Sequence, residues 1–416
     1  MLAKVHYHTD CSWFAGCENM LANLLNDSDI RKQFELSLSY RASPEYAAGL
    51  ERRTRLDFQV YPLRFPEPST AIPTPNRLPS GIKRAVRFAS RQLTTYPLLA
   101  YEIWLLRRLL VRLQPDVLHI NNGGYPAALS ARAAAIAARL AGVRNVLMVV
   151  NNLAEENRGP FFAPRAAVDR GVKKAVPQFV TGSVAASAQL SRVLGLADGQ
   201  TLALPNGVAM RPASETRDET LSRLSLGESD GVLLGVVALM EPRKGHRALL
   251  EAVARLVRDE RLPHNFTLLL EGDGPLREKL EAFVHDEGLQ NHCRFIGAEE
   301  NVFNFMSVLD ILILPSVAHE DFPNVVLEAM GLGKAVIASR LAGTPEQVDE
   351  GITGLLVPPG EPGALAAAIA RLIGDARLRE DMGRAGRNRF ENRFTADESV
   401  RRYVGLYKSL IAQNQL

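Results

Sequence analysis

A polar loop that leads into a helix is the most informative stretch of this sequence. The apolar run Ile311–Leu314 predicts a strand, and Pro323 predicts the start of a helix soon after it. Proline suits that place because its missing N–H is not needed there and its φ is already set. The backbone amides expected at the helix start are those of Phe322, Asn324 and Val325. Free amides at a helix N-terminus bind anions, so the stretch predicts an anion site.

Two carboxylates flank this predicted anion site. Glu320 lies in the loop, and Glu328 lies between one and two turns into the helix. Carboxylates repel a phosphate, so we expect them to accept hydrogen bonds from hydroxyl groups instead. A ligand that offers phosphates to amides and hydroxyl groups to carboxylates is a sugar nucleotide, and that is the ligand class the stretch predicts.

Two adjacent cations provide a second candidate site. Arg243 and Lys244 lie between a predicted strand and a predicted helix and are followed by Gly245. At the carboxyl end of a strand they suit a diphosphate, with Lys244 as a point charge and Arg243 as a planar fork. A Lys-Gly pair also occurs in ordinary surface turns, so this motif alone leaves both interpretations open.

Other phosphate and metal motifs are incomplete. Gly272 and Gly274 begin a GxGxxG pattern, but Arg277 occupies the third glycine position. The run that ends at Lys334 lacks the first glycine of a P-loop, and Ala335 replaces its Ser or Thr. The sequence contains no HExxH, CxxC or GxSxG motif, so we expect no metal and no serine nucleophile of that type.

The elements that must position these residues are strands that alternate with helices. In the first half, strands are predicted at Val5–His8, Glu35–Leu38, Asp57–Tyr61, Asp116–Ile120, Asn145–Val150 and Gln178–Thr181. In the second half, they are predicted at Val232–Val237, Thr267–Leu270, Arg294–Ile296, Ile311–Leu314, Ala335–Ala338 and Leu355–Val357. Apolar strands between helices indicate parallel sheets covered on both faces. We therefore predict an α/β protein of two Rossmann-like domains that face each other across a cleft.

A Pro-Asn-Gly turn at 205–207 marks the predicted domain boundary. We assign residues 1–207 to an N-terminal domain and residues 208–395 to a C-terminal domain. Residues 396–416 carry apolar side chains at helical spacing, which indicates a final helix. That helix either packs across both domains, completing the N-terminal one, or packs on one domain alone.

The N-terminal half offers its own candidate residues after predicted strands. Gly16 lies in a loop between the first strand and a helix, where a ligand can approach the backbone, although turn geometry explains a glycine equally well. Asn121 follows a second strand, and Asn151 and Asn152 follow a third. These amides are candidates for binding an acceptor, with ordinary strand-to-helix turns as the alternative.

Charge is distributed unevenly along the chain. Residues 1–210 hold 25 Lys and Arg against 15 Asp and Glu, a balance of +10, whereas the whole chain of 416 residues carries only +3. The basic half predicts an anionic partner, either a phosphorylated acceptor or a membrane surface. The segment Gly81–Arg91 is basic and amphipathic, which suits anionic lipid but equally suits a solvated helix face.

The remaining features indicate a cytoplasmic protein. The N-terminus reaches polar residues too early for a signal peptide, and no apolar run approaches the ~18–20 residues of a membrane span. Cys11, Cys17 and Cys293 are too few for a disulfide framework, and the first two lack zinc-site spacing, so we expect free thiols. The proline-rich run Tyr61–Pro79 is expected to form an irregular, exposed loop.

Taken in order, the motifs resemble those of the retaining glycosyltransferases of family 4, which have the GT-B fold. The resemblance rests on Arg243-Lys244-Gly245, Glu271-Gly272-Asp273-Gly274-Pro275, Pro315-Ser316 and the pair Glu320 and Glu328 with seven residues between them. It covers about residues 232–360 strongly and the N-terminal half only in outline. Two positions depart from the family pattern, because Leu239 replaces a frequent Arg and Asn151 or Asn152 replaces a frequent His.

The resemblance implies a nucleotide-sugar donor on the C-terminal domain and an acceptor on the N-terminal domain. It implies that Lys244, supported by Arg243, neutralises the donor diphosphate and that Glu328 binds the ribose. Glu320 and the helix-start amides around Pro323 would bind the sugar and phosphates. Three glycines would allow the backbone to approach the donor: Gly16, Gly272 and Gly297.

We therefore expect a metal-independent, retaining glycosyltransferase of the EC 2.4 type. A UDP-sugar is the expected donor, and a lipid-linked, polysaccharide or glycan precursor is the expected acceptor. We expect a cytoplasmic location with contact to the inner face of a membrane, and no nucleic-acid partner. Two alternatives stay open: a GT-B sugar-nucleotide epimerase, and a catalytically silent scaffold that binds a nucleotide or a partner enzyme.

Overall fold

The computed structural model shows two compact α/β units. The structure describes the chain apart from Met1, Trp13, Ala15, Ala127 and residues 67–79, 156–161, 228–230, 260–264 and 414–416. For residues 80–93 and 162–164, it describes the backbone but not the side chains. One unit comprises Met1–Leu204 with Val400–Leu416, and the other comprises Pro205–Ser399.

The first unit is built on a parallel sheet. Its strands are β1 Ala3–Thr9, β2 Phe34–Arg41, β3 Gln59–Leu63, β4 Val117–Asn122, β5 Val146–Val150, β6 Gln178–Thr181 and β7 Thr201–Ala203. Its helices are α1 Gly16–Asn26, α2 Ser28–Gln33, α3 Pro44–Arg53, α4 Ser80–Leu113, α5 Leu129–Leu140, α6 Phe162–Ala175 and α7 Val184–Leu194. The strand order is β3-β2-β1-β4-β5-β6-β7.

The second unit repeats this architecture. Its strands are β8 Val232–Val237, β9 Phe266–Glu271, β10 Cys293–Gly297, β11 Ile311–Leu314, β12 Ala335–Ser339 and β13 Gly354–Val357, in the order β10-β9-β8-β11-β12-β13. Its helices are α8 Arg217–Arg223, α9 His246–Arg258, α10 Arg277–Asp286, α11 Val302–Val308, α12 Asn324–Gly331, α13 Thr344–Gln347, α14 Pro362–Gly374 and α15 Ala376–Arg393. A last helix, α16 Ala396–Gln413, follows them.

Both sheets are parallel and buried, as predicted. Every strand pair in each sheet runs parallel in the described residues. Strands such as β5 and β11 have every residue buried, because helices cover both faces of the sheet. The two sheets with their flanking helices confirm the prediction of two Rossmann-like domains.

The strand order places a crevice at the same point of each sheet. The order reverses between β1 and β4 in the first unit and between β8 and β11 in the second. In open α/β sheets, ligands bind at the carboxyl ends of the strands where this reversal occurs. The loops that follow these four strands are therefore the places to look for function.

The end of the chain returns to the first unit. Residues from Val400 onward group with that unit, and Val400, Tyr403, Tyr407 and Leu410 are buried in its apolar core. The apolar stripe predicted for the final helix therefore has its partner in the N-terminal half of the chain.

The proline-rich run differs in part from its prediction. Tyr61–Leu63 are not irregular, since they form the end of β3, the edge strand of the first sheet. An edge strand tolerates Pro62 because one side of it needs no ladder hydrogen bond. Residues 67–79 lie outside the described part of the chain, and so do the side chains of the basic segment Gly81–Arg91, which lies in the first turns of α4.

No helix among the described residues is both long and apolar enough to cross a bilayer.

Candidate functional site

The residues singled out in the second unit lie beside the strand reversal. Lys244 ends a single 3-10 turn, Pro242–Lys244, that follows β8. Glu320 lies in the loop after β11, the strand paired with β8. Two residues that are 76 positions apart in the sequence are therefore brought to neighbouring loops.

Glu320 is the centre of a polar cluster with two cations and a hydroxyl group. The Lys244 ammonium forms a short ion pair with Glu320 Oε1, and Ser316 Oγ donates to the same oxygen at 2.9 Å. Arg243 Nη1 lies 3.6 Å from this oxygen, while Arg243 Nε donates to Glu241 at 2.9 Å. The Lys244 and Glu320 side chains are only 15% and 9% exposed, so their charges interact with little screening by water.

Backbone contacts hold the two loops together. The amide of Val317 donates to the Arg243 carbonyl at 2.8 Å. Gly245 has φ +71°, and a Cβ at this position would overlap the carbonyl oxygen of Pro315. Glycine is therefore required here both by the left-handed backbone and by the close approach of the neighbouring loop.

The helix start after Glu320 is anchored from several sides. His319, just before Glu320, has φ +54°, a left-handed conformation that is uncommon for a residue with a side chain. The ring of Phe322 is buried against Phe394, with centroids 5.7 Å apart. Asn206 Nδ2 donates to the Phe322 carbonyl at 3.1 Å and to Asn324 Oδ1 at 3.0 Å.

The predicted helix start is shifted by one residue. Pro323 precedes α12 as its N-cap with φ −63° and is not the first helical residue, and Asn324 and Val325 begin the first turn. The Pro323 carbonyl accepts from Gln347 Nε2 at 3.0 Å and from the Val326 amide at 3.2 Å. The three predicted amides thus belong to the loop end and first turn of one short helix.

A further carboxyl group belongs to this region and was not assigned a role from the sequence. Glu271 ends β9, is 7% exposed and accepts from the Glu299 amide at 3.0 Å. Burial raises the pKa of Glu271 to about 7, and the charges of Glu299 and Glu328 act in the same direction. Glu328 and Glu271 therefore form a pair of neighbouring acids, and Glu271 is partly protonated at neutral pH. The sequence signal for it was an acid at the end of a largely apolar strand.

The two predicted donor-site glycines of this unit are in direct contact. The Gly272 amide donates to the Gly297 carbonyl at 2.8 Å. Gly272 has φ +114°, and a Cβ there would overlap the carbonyl oxygen of Ala238. Leu239, which replaces the frequent Arg of the family pattern, follows Ala238 in the chain and is 53% exposed.

The first unit has a buried polar network at the corresponding strand ends. Glu18, at the start of α1, accepts from Thr9 Oγ1 at 2.8 Å and from Tyr46 OH at 2.5 Å. Asn121 Nδ2 donates to Glu18 at 2.9 Å, and Asn151 Nδ2 donates to Asn121 Oδ1 at 2.7 Å. Asn151 therefore contacts Asn121 directly, and Asn121 in turn contacts Glu18, a residue that sequence reasoning missed.

The other predicted residues of the first unit lie outside this network. Asn152 Oδ1 accepts from the Leu153 amide at 2.8 Å, which is a local turn contact. Gly16 is the first residue of α1, and a Cβ at this position would meet no atom of the described residues within 4 Å. Packing against the described part of the chain therefore does not explain why residue 16 is a glycine.

Cys11 and Cys17 are free thiols whose closeness in space the sequence did not predict. Cys11 Sγ and Cys17 Sγ lie 3.9 Å apart, and Cys17 Sγ lies 3.8 Å from Glu18 Oε1. In the described residues, these three side chains form the one group of His, Cys, Asp or Glu ligands that could hold a metal ion, with ligand atoms within 4.8 Å. Glu18 already accepts three other hydrogen bonds, from Thr9, Tyr46 and Asn121, so its oxygens are committed to the protein.

Comparisons with known proteins agree with this geometry. Residues 231–375 match the model of the family described as Glycosyl transferases group 1. The lipopolysaccharide core biosynthesis glycosyltransferase LpsD of Rhizobium meliloti is 35% identical over 171 residues, which are 41% of this chain and 48% of that protein. The chain spans about half the length of the curated relatives it matches.

Solved structures match nearly the whole chain. The glycosyltransferase of Rickettsia africae has a TM-score of 0.75 at 16% identity and covers 99% of both chains. Anabaena Alr3699/HepE in complex with UDP has a TM-score of 0.74 at 19% identity, with 98% of this chain and 100% of that chain covered. The two Rossmann-like units therefore have the GT-B fold.

Proposed function

We propose, given that residues 231–375 match the group 1 glycosyltransferases, that this chain transfers a sugar from a UDP-sugar to a glycan or lipid-linked acceptor. The observation that carries the proposal is the convergence of Lys244 and Arg243 on Glu320 at the carboxyl ends of β8 and β11. Two cations beside one carboxylate can bind a diphosphate and a sugar hydroxyl group at the same time.

Each side chain of this cluster has a distinct role in the proposed reaction. Lys244 and Arg243 neutralise the negative charge that grows on the diphosphate as the bond to the sugar breaks. Glu320 accepts from the sugar hydroxyl groups, and Ser316 keeps it oriented. Electrostatic stabilisation by such preorganised groups is commonly the largest single contribution to a rate.

The proposed transfer retains the configuration of the sugar. The anomeric C–O bond to the diphosphate breaks, and the acceptor oxygen forms a new bond to the same carbon from the same face. The acceptor proton passes to an oxygen of the departing diphosphate. This scheme needs no protein nucleophile and no metal ion, since Lys244 and Arg243 supply the positive charge.

The donor is proposed to be a uridine nucleotide. Support comes from Anabaena HepE, whose structure contains UDP, and from the acids near the start of α12. Glu328 is proposed to accept from the ribose hydroxyl groups. Glu271 lies beside it at the end of β9, next to the contact between Gly272 and Gly297.

The acceptor is proposed to bind the first unit. The network of Glu18, Asn121 and Asn151 lies where β1, β4 and β5 end, and its amides can orient a hydroxyl group. The balance of +10 over residues 1–210 favours an acceptor that carries phosphate. The relative LpsD, named for lipopolysaccharide core biosynthesis, supports a polysaccharide precursor as the acceptor class.

A two-stage assay tests the proposed function. First, thermal unfolding is measured with UDP, GDP and ADP sugars, because a bound donor stabilises the folded protein by about 2.7 kcal/mol at a hundredfold excess over Kd. A selective shift with one UDP-sugar is expected. Secondly, that donor is incubated with phosphorylated and neutral glycan acceptors, and the product linkage is determined by NMR.

The same assay separates the alternatives. Conversion of the donor to an isomer without any acceptor would identify an epimerase. Tight nucleotide binding with no transfer to any acceptor would identify a silent scaffold, which the departures at Leu239 and Asn151 would then explain. Failure of every nucleotide to shift the unfolding temperature would overturn the donor site itself.

A further inference from the structure

Two thiols of the first unit lie in contact at the start of α1. Cys11 lies two residues beyond the end of β1, and Cys17 is the second residue of α1. Their sulfur atoms are 3.9 Å apart, which is the distance of a thiol–thiol contact. Both residues are partly exposed.

The third cysteine of the chain provides a contrast. Cys293 is buried at the start of β10, in the second unit. Burial raises its pKa to about 12 and shields the thiol from solvent. The protein therefore contains one partly exposed thiol pair and one buried thiol.

We propose that Cys11 and Cys17 are a modification site at which a peroxide forms a reversible disulfide. One thiolate attacks the peroxide and becomes a sulfenic acid, with release of water, and the second thiol displaces a second water as the S–S bond forms. The two thiols together lose two electrons and two protons, and the peroxide is reduced. The two sulfur atoms must approach from 3.9 Å to ~2.05 Å for the bond to form.

The charges around the pair set the conditions for this reaction. The hydrogen bond with Cys17, burial and the nearby Glu18 carboxyl all raise the pKa of Cys11. The thiolate is the attacking species, so oxidation is slow at neutral pH and accelerates as the pH rises.

The disulfide has two consequences for the proposed transfer. It encloses Gly16, the first residue of α1, in a short covalent ring. It also removes the contact of the Cys17 thiol with Glu18, which holds Asn121. This effect on turnover rests on the proposed function, whereas formation of the bond does not.

Peptide mass analysis tests the bond directly. The full-length chain is treated with hydrogen peroxide at mildly alkaline pH, alkylated, and cleaved with trypsin. Cleavage after Lys4 and Arg31 leaves Cys11 and Cys17 on one peptide. We expect this peptide to lose the mass of two hydrogen atoms and to resist alkylation until dithiothreitol is added, in wild type and in Cys293→Ser but not in Cys17→Ser.

Turnover is measured in the same samples. Oxidised wild type is expected to transfer sugar about tenfold more slowly than its reduced form. A displacement of a side chain in a site by about 1 Å can lower the rate by up to ~10²-fold. Cys17→Ser should show no such difference between treated and untreated protein. If the bond forms while turnover is unchanged, the proposed role of the network of Glu18, Asn121 and Asn151 is wrong and the modification site stands.

Three results would overturn the modification site. The first is that both thiols can still be alkylated after peroxide treatment. The second is that the peptide gains the mass of oxygen and does not lose the mass of two hydrogen atoms. The third is stoichiometric zinc in the purified wild-type chain that is lost in Cys17→Ser, because the thiols would then be metal ligands. All three are read without any assay of glycosyl transfer.

Discussion

Lys244 is the residue on which the proposed donor site depends most. Its ammonium group is 15% exposed and is already paired with Glu320, so it needs no reorganisation to meet a diphosphate. We expect Lys244→Ala to lower kcat by about 10²–10³, the cost of removing one preorganised charge contact from a transition state. Steady-state kinetics with the identified donor provide the measurement.

The matched control for this variant is Lys279→Ala. Lys279 lies on α10 and is exposed, so its replacement changes the charge of the same unit equally without touching the cluster. Its kcat should stay within about twofold of wild type, as expected for a surface substitution. Turnover of Lys244→Ala at the wild-type rate would falsify the diphosphate role.

Glu328 is expected to act on affinity instead of rate. A carboxylate that accepts from ribose hydroxyl groups contributes equally to the bound substrate and the transition state, so its loss raises Kd. We expect Glu328→Ala to weaken UDP binding about 10–100-fold, the value of a hydrogen bond to a charged group. Calorimetric titration measures it, with exposed Glu278 on α10 as the control position.

At the scale of elements, the turn between β8 and α9 requires glycine for two reasons, its left-handed backbone and its close approach to a neighbouring loop. A comparison of two glycine positions can measure these two effects separately. Gly245 and Gly288 both have left-handed backbone, with φ +71° and +67°. A Cβ at 245 would overlap the Pro315 carbonyl, whereas one at 288 would meet nothing within 4 Å. Alanine at either position is expected to lower the free energy of unfolding by about 1–2 kcal/mol, because a residue with a Cβ is strained in left-handed backbone.

We therefore expect Gly245→Ala to be clearly more destabilising than Gly288→Ala. The extra cost is about 1–3 kcal/mol, because the loop after β11 must move away from the new methyl group. Denaturant unfolding of both variants measures the difference. Equal stabilities would show that the loop gives way without cost and that it does not hold Glu320 in place.

Buried histidines make β1 and β4 sensitive to acid. Burial lowers the pKa of His6 and His119 to about 3 and that of His8 to about 4, from an ordinary value of 6.5. Above pH 6.5 the folded and unfolded states both carry neutral rings, so the groups make no difference. As the pH falls from about 6.5 to about 3–4, only the unfolded state binds protons, and stability is lost.

Each of these histidines can contribute a slope of at most about 1.4 kcal/mol per pH unit within that window. Chemical denaturation at a series of pH values below about 6.5 should show this loss as a difference between variants, because Glu271, whose pKa is raised to about 7, binds a proton in the folded state and offsets part of the loss. His119→Gln should lose less stability than wild type as the pH falls from about 6.5 to about 4, while replacement of the exposed His285 on α10 should leave the profile unchanged. Identical pH profiles for His119→Gln and wild type would contradict this origin of acid sensitivity.

Pattern reasoning predicted strands well because parallel strands are buried on both faces. β6, β8 and β11 begin and end at the predicted residues, and each is a short, largely apolar run. It failed at Tyr61–Leu63, where proline suggested irregular structure but the strand lies at an edge. Local sequence cannot show whether a strand is central or at an edge.

For the candidate site, residue types were predictable but their pairing was not. Lys244 and Glu320 were both singled out from local motifs, yet their contact depends on β8 lying next to β11, which only the sheet order shows. Glu18 was missed for the same reason, since its partners Tyr46 and Asn121 come from distant elements. The nearness of Cys11 and Cys17 likewise depends on a loop that no spacing rule describes.

At the scale of the whole molecule, the chain ends in the unit where it begins, and Tyr407 secures that return. Its side chain is fully buried, and its hydroxyl group lies 2.7 Å from His119 Nδ1 and 3.3 Å from Tyr7 OH. Its ring packs edge-on against Phe34, with centroids 5.7 Å apart. The last helix is therefore part of the core of the first unit, and its removal exposes β1 and β4 to solvent.

We expect Tyr407→Ala to destabilise the first unit by about 3–5 kcal/mol, as for other large buried aromatic residues. Tyr407→Phe keeps the ring but leaves His119 without its hydroxyl partner, and it should cost only about 1–3 kcal/mol. Lys408→Ala, at an exposed position on the same helix, should cost less than about 0.5 kcal/mol. Differential scanning calorimetry distinguishes the units, because a bound nucleotide raises only the transition of the unit that binds it. If Tyr407→Ala instead destabilises the transition that nucleotide raises and leaves the other transition unchanged, α16 supports the second unit.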